Sequence, residues 1–360
     1  MIPVAKPCVG NEEAEAAASV IRSGMLASGK QVTLLEEDFS SFIGVPHSIA
    51  TSNGTTALHV ALMGLDIGPG DEVIVPSFTF IATATSVSMT GATPKMADVE
   101  KKTYCIDPNS VVDLITPRTK AIIGVHLFGQ ACNVRAIQDI CEDHSISFVE
   151  DCAQAHGTEY DGKKVGSFGV CGCFSFYPTK NMTSGEGGMI TCHDPNLSER
   201  MRRLINHGQK EKYLHTELGY NFRLTDIAAA IGRVQLKKLP QMNKKRQENA
   251  AYYNSSLKKD GLITPFTAPL SNHVFHQYAI CINRNDMGRD SFAKILHDNG
   301  IGTAVHYPIP IHKQPLYQKS HDYNCPISET LSREILSLPV YPDLSADERA
   351  FIVETINGVI

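Results

Sequence analysis

The chain has 360 residues, enough for a large core and two domains, and its 42% hydrophobic and 20% charged residues are ordinary for a soluble globular enzyme. With 33 basic and 38 acidic residues the net charge is −5, which gives no support for nucleic-acid binding, and no apolar run is long enough to span a bilayer. The first stretch, MIPVAKPCVGNEEAEAAA, has no apolar h-region, so no signal peptide is expected; ten cysteines without a Cys-x-x-Cys pair read as reduced thiols filling the core of a cytoplasmic protein, with no metal site.

Residues 48–51 read as a short strand leading into SNGTTALHVALMGL. There Gly54 allows close backbone approach, and Thr55 and Thr56 open a helix with Leu58, Ala61, Leu62 and Leu65 on its apolar face. Free N–H groups, the helix dipole and hydroxyls suit a phosphate; a plain capped helix, with Ser52, Asn53 or Thr55 as the cap, accounts for the same residues. Residues 72–76 form the next strand, followed by VPSFTFIATA, where Phe78 or Phe80 either offers a flat face to a ring or packs in the core. A helix over 82–90 ends at Gly91. A strand over 94–99, a helix over 109–115 capped by Asp107 or Asn109, a strand over 121–127 and a helix over 134–144 follow.

The strand over 146–150 runs into FVEDCAQAHG. Glu150 and Asp151 end a strand buried on both faces, where a carboxylate needs a partner. A protonated ring nitrogen would serve; a helix cap by Asp151 is the plainer alternative. Gln154 and His156 follow within reach. Residues 174–177 form an apolar strand that Pro178 stops, and Lys180 comes directly after. Such a lysine either reaches solvent along its stem or sits desolvated in an apolar pocket as a nucleophilic amine. Helices over 227–236 and 247–257 come next. Lys237, Lys238, Lys244, Lys245 and Arg246 are expected on a solvated helix face. A small mixed unit closes the chain, with strands over 276–282 and 302–306, a helix over 291–299 and a last helix from about residue 346.

Strands alternating with helices predict an α/β fold, a three-layer α/β/α large domain with a mostly parallel sheet over 1–240 and a smaller α/β domain over 241–360. In such sheets ligands collect at the carboxyl ends of the strands. One lysine, one carboxylate, one aromatic ring and one phosphate cradle at successive strand ends together fit pyridoxal 5'-phosphate. A dinucleotide site is not supported, because no strand runs into G-x-G-x-x-G; Gly166, Gly169 and Gly172 have the wrong spacing.

The stretches FSFYPTKN…GEGG, GYNFRLTDIAAAIG and VHYPIPIHKQP resemble the DegT/DnrJ/EryC1/StrS sugar aminotransferases, pyridoxal-phosphate enzymes of fold type I, and the resemblance covers essentially the whole chain. It implies that Lys180 forms the Schiff base and shuttles the proton, that Asp151 binds the pyridine nitrogen, that Gln154 approaches the ring hydroxyl and that Phe80 covers the ring face. It implies phosphate contacts from Gly54, Thr55 and Ser175. Asn221 resembles an asparagine that reaches the phosphate from a second subunit, which implies a homodimer with shared active sites. Ser28, Gly29, Arg223, His306 and Tyr307 fall in segments near the substrate. Arg223 has a structural alternative, an ion pair with Asp226 or Glu217, and for His306 and Tyr307 a plain strand end would read the same way.

The implied reaction moves an amino group from L-glutamate to a UDP- or dTDP-linked 3- or 4-keto sugar, in amino-sugar biosynthesis for surface polysaccharide or glycoprotein. Family members with histidine at the position of Lys180 perform deoxygenation, so the lysine points to the aminotransferase branch. KNMTSGEGG looks like the 4-keto group, whereas VHYPIPIHKQP resembles enzymes of UDP-linked 3-keto sugars, and the aminated carbon stays open. The alternatives within the family are a sugar dehydratase and a cyclitol aminotransferase. A non-catalytic regulator is opposed by the intact Lys180 and Asp151 and by the lack of a helix-turn-helix or basic domain.

Overall fold

Short apolar strands separated by capped helices build one seven-stranded sheet in the computed structural model, which describes residues 1–258, 260–284, 286–318 and 323–360. Two helices come first, α1 (Asn11–Ser23) and α2 (Lys30–Ile43). Then follow β1 (His47–Thr51), α3 (Gly54–Gly64), β2 (Glu72–Pro76), α4 (Ala82–Met89), β3 (Thr93–Ala97) and α5 (Pro108–Val112). Next are β4 (Thr119–Val125), α6 (Val134–His144), β5 (Ser147–Asp151) and a small hairpin of β6 (Glu159–Tyr160) and β7 (Lys163–Lys164). β8 (Cys171–Ser175), β9 (Gly188–Cys192) and α7 (Pro195–Leu204) complete the alternation.

The sheet order is β1-β9-β8-β5-β4-β2-β3. β9 is antiparallel to both its neighbours and the other strands share one direction. The carboxyl ends of six strands therefore meet along one edge. Side chains alternate: Val75, Ile123, Val149 and Cys173 pack under α3, α4 and α7, while Ile74, Ile122, Phe148 and Phe174 pack on the other face against α2 and α6. Helices on both faces are what make these strands read as continuous apolar runs.

The two helices expected over 227–236 and 247–257 are one helix. α8 (Asp226–Ser256) has 31 residues and passes through Pro240, so the expected boundary near 240 lies inside a helix. Its buried positions Leu239, Met242, Asn243, Arg246, Asn249 and Ala250 recur every three or four residues, a stripe that continues across the proline. That stripe corrects one expectation. Arg246 does not lie on a solvated face; it is buried, and its guanidinium donates to the carbonyls of Phe275 and His276, both at 3.4 Å. Lys238 pairs with Glu12 and Glu13 at 2.9 and 2.7 Å and Lys245 with Asp343 at 3.3 Å, while Lys237 and Lys244 are exposed. Beyond α8, Leu262–Ile263, Tyr278–Ile282 and Ile335–Leu338 form a three-stranded antiparallel sheet over a core that includes Tyr253, Phe292 and Ile352. The expected strand over 302–306 is reduced to one bridge, Ala304 with Ser337. Among the described residues no helix is long and apolar enough to cross a membrane.

Candidate active site

The carboxyl ends of the strands open into a cleft of about 750 Å³. The chain leaves β8 at Ser175, turns with the Lys180 N–H donating to the Tyr177 carbonyl at 2.9 Å, and delivers the Lys180 side chain to the cleft floor. Lys180 is half-buried, and among the described residues its amine has no ion pair or hydrogen bond. Burial lowers its pKa to about 8, against the opposing pull of Asp151. The side chain thus ends in the cleft rather than on the open surface.

Glu150 and Asp151 point to opposite sides of β5. Glu150 is fully buried away from the cleft. It accepts from the N–H groups of Gly166, Phe168 and Gly169, each at 2.8 Å, and from His126 Nε2 at 3.0 Å. His126 Nδ1 accepts from the Cys132 N–H at 3.1 Å, so its proton sits on Nε2. His126, Glu150 and Cys152 lie close enough for one ion, but both ring nitrogens and both carboxylate oxygens are already engaged in these bonds. Asp151 lines the cleft and accepts from Thr83 Oγ1 at 2.9 Å and the Ala153 N–H at 3.1 Å. Burial raises its pKa; those two donors, then Lys180 and His126, pull the other way.

Helix α3 begins at the cleft wall. Asn53 is its cap, accepting from the Thr56 N–H at 2.9 Å. A Cβ on Gly54 would meet the Ser175 Cβ at 2.7 Å, so glycine is what lets the first turn of α3 lie against the end of β8. Thr55 and the Ser175 hydroxyl thus share one corner of the cleft. Opposite, Phe80 is 54% exposed whereas Phe78 is fully buried, which decides which of the two offers a free face. The Phe80 ring lies 6.1 Å from that of Tyr307. Gln154 joins the walls: its Oε1 accepts from the Phe128 N–H and its Nε2 donates to Tyr307 Oη, both at 2.8 Å. Around Lys180, burial holds His156 at about 3, His306 at about 4 and His276 well below the usual histidine value, with the lysine charge adding to each shift. All three rings are neutral.

The cleft brings together Gly54, Thr55, Phe80, Asp151, Gln154, Ser175, Lys180, His306 and Tyr307. It does not contain Ser28, Gly29, Asn221 or Arg223. The N–H of Gly29 donates to Asp226 at 2.9 Å as α2 begins. Asn221 is exposed. The structural alternative for Arg223, an ion pair with Asp226 or Glu217, is not formed, because Asp226 holds the start of α2 and Glu217 pairs with Arg200 and Arg203 at 3.3 and 2.8 Å. Arg223 instead donates to Asn206 Oδ1 at 2.6 Å. Thr83, Tyr177, Glu186 and His276 also line the cleft and were not singled out from the sequence.

A family model described as the DegT/DnrJ/EryC1/StrS aminotransferase family matches residues 7–357. The chain is 42% identical over 333 residues to the UDP-N-acetyl-3-dehydro-alpha-D-glucosamine 3-aminotransferase of Acidithiobacillus ferrooxidans, with 92% of this chain and 89% of that one covered. It is 40% identical over 339 residues to the dTDP-3-amino-3,6-dideoxy-alpha-D-galactopyranose transaminase of Aneurinibacillus thermoaerophilus, covering 94% and 92%. Among solved structures it resembles S. venezuelae DesV in complex with a ketimine intermediate, with a TM-score of 0.93 and 38% identity over 97% of this chain and 94% of that one.

Proposed function

We infer the reaction from one premise: the chain belongs to the DegT/DnrJ/EryC1/StrS aminotransferase family, whose members depend on pyridoxal phosphate. The cleft fits that group. Its lysine amine is unpaired and desolvated, a buried carboxylate lies within electrostatic reach of it, and the first turn of α3 meets the Ser175 hydroxyl to make a corner suited to a phosphate. The reading is a transfer of the amino group from L-glutamate to C3 of a UDP- or dTDP-linked keto sugar, giving 2-oxoglutarate and an amino sugar. C3 is favoured over C4 because the names of both relatives above place the nitrogen there. When bound, pyridoxal phosphate supplies an electron sink for the carbanion formed at the donor carbon.

In this reading Lys180 would bind the cofactor and, once displaced, take the proton from the donor carbon as general base and return one as general acid within the same half-reaction. Asp151 would pair with the ring nitrogen and hold it protonated. Gly54, Thr55 and Ser175 take the phosphate, Phe80 the ring face, and Gln154 the ring hydroxyl. His306 and Tyr307 border the sugar. A homodimer completes the site. Lys180 is the one cationic side chain among the described residues of the cleft, whereas a dicarboxylate donor and a nucleotide diphosphate both need positive charge. Asn221 and Arg223 lie outside their own chain's cleft and are assigned, with Ser28 and Gly29, to a neighbour's. The reading also assigns the enzyme to the cytoplasm and divides it into domains 1–240 and 241–360.

The desolvated, unpaired amine of Lys180 carries this proposal. The test is the visible absorbance of the purified protein with pyridoxal phosphate, before and after L-glutamate. A bound-cofactor band that glutamate converts to the amine form is expected. No band would return Lys180 to the role of a solvent-reaching lysine. A band indifferent to glutamate would call for another donor, or for a dehydratase, whose product is distinguishable by mass.

A further inference from the structure

Behind Lys180, an amide network fixes a proton. Asn243 Nδ2 donates to the His156 carbonyl at 2.7 Å. A carbonyl only accepts, so the other end of that amide, Oδ1, must accept in turn. It does so from Asn181 Nδ2 at 2.8 Å. The same Nδ2 reaches the Val274 carbonyl at 3.3 Å, a second group that only accepts. Asn181 Oδ1 is therefore the atom that faces His276 Nδ1 at 3.1 Å. An amide oxygen cannot donate, so the ring proton sits on Nδ1. The ring is neutral, and Nε2 is left as a bare lone pair.

His276 is 5% exposed and lines the cleft. Among the described residues its Nε2 has no partner, so Nε2 is the ring atom left for a ligand. His306 differs: its Nδ1 faces the Ser337 hydroxyl at 3.0 Å, and a hydroxyl donates or accepts, so that tautomer is not fixed. We infer that His276 is a permanent hydrogen-bond acceptor built into the cleft, positioning one N–H or O–H group of the reaction at Nε2. Two sources offer that chemistry, the Lys180 amine and a hydroxyl of the sugar. The lysine is favoured, because Asn181 follows it directly and holds the ring, so one dipeptide sets both positions; among the described residues the amine has no hydrogen bond and must turn onto Nε2 to make one. The sugar alternative rests on the aminotransferase reading; the lysine alternative does not.

Two variants separate these sources. His276→Asn keeps an amide near the Nδ1 position for Asn181 and removes Nε2. His276→Gln restores an amide oxygen near the Nε2 position. The first readout is the pH dependence of acylation of Lys180 in protein freed of cofactor, followed by mass spectrometry. We expect the midpoint to fall by about one pH unit in His276→Asn and to recover in His276→Gln, since an acceptor favours the ammonium form. If the midpoint holds while KM for the UDP-linked 3-keto derivative of N-acetylglucosamine rises about tenfold at unchanged kcat, the acceptor serves the sugar. A folded His276→Asn protein that moves neither quantity overturns the inference. A wild-type enzyme with no turnover of any keto sugar would sink the aminotransferase reading and leave the lysine measurement intact. Neutron diffraction from wild-type crystals tests the tautomer without any variant: a deuteron on Nδ1 is expected, and one on Nε2 overturns the proposal.

Discussion

Behind the sheet Glu150 accepts four hydrogen bonds from a closed shell of donors; in front of it Asp151 accepts two and keeps an open side toward the cleft. The two residues are adjacent in one strand and carry the same chemical group. Strand alternation sends them to opposite faces, and the surroundings then give them opposite work. Glu150 is saturated, and its charge is spent on holding the 166–169 loop and His126 to β5. Asp151 is left under-coordinated in a place where its charge is unfavourable, and such a carboxylate is available to a ligand. Residue type and burial do not distinguish them. The count of donors does.

The largest expected effect concerns the lysine across from Asp151. Lys180→Ala should abolish turnover while the protein still binds pyridoxamine phosphate; full activity would remove the cleft from the comparison altogether. Asp151→Asn should lower kcat/KM by about a hundredfold or more. Its unfolding midpoint should hold or rise, because burial already penalises the charge that is removed. Glu150→Gln should do the reverse. The new amide nitrogen would face the Gly166 N–H and the His126 Nε2–H, or the Phe168 and Gly169 N–H groups, and donors would meet donors. Stability should fall by about 3 kcal/mol in denaturant unfolding, with kcat per folded molecule within about threefold of the parent. A Glu150→Gln enzyme that is stable but as inactive as Asp151→Asn would erase the distinction.

The layered fold was legible because helices on both faces make each strand a continuous apolar run, and the strand ends then pointed to Gly54, to Phe78 or Phe80, to Asp151 and to Lys180. Helix α2 carries a stripe at Val32, Leu35, Phe39 and Ile43 that periodicity can detect, whereas α1 buries only Glu13 and Val20 and offers no such signal. Pro240 reads as a break, yet packing on both sides of it sustains α8. The partners of the site were not legible. Thr83 meets Asp151 across 68 residues and His276 meets Asn181 across 95, and one sequence carries no record of such pairings. The difference between Glu150 and Asp151 belongs to this class too, because the loop that saturates Glu150 lies 16 to 19 residues downstream.

The smallest effect is a titration, and it tests the comparison without turnover. In protein freed of cofactor, the Lys180 amine should become reactive toward an acylating reagent with a midpoint of about 8, instead of the ordinary 10.5. Burial lowers it and Asp151 raises it, so Asp151→Asn should move the midpoint further down, while Glu150→Gln should leave it in place. The linkage has a definite sign. Below about 8 the lysine is protonated in folded and unfolded chains alike, and the full burial cost is present. Between about 8 and 10.5 the unfolded chain binds the extra proton, so this group's contribution makes the fold more stable as pH rises. A midpoint near 10.5 would mean a hydrated ammonium, and the cleft would then be no more reactive than any surface lysine. A midpoint that responded to Glu150→Gln as strongly as to Asp151→Asn would mean that both carboxylates act on the lysine through the sheet, and the two faces of β5 would not be separate environments.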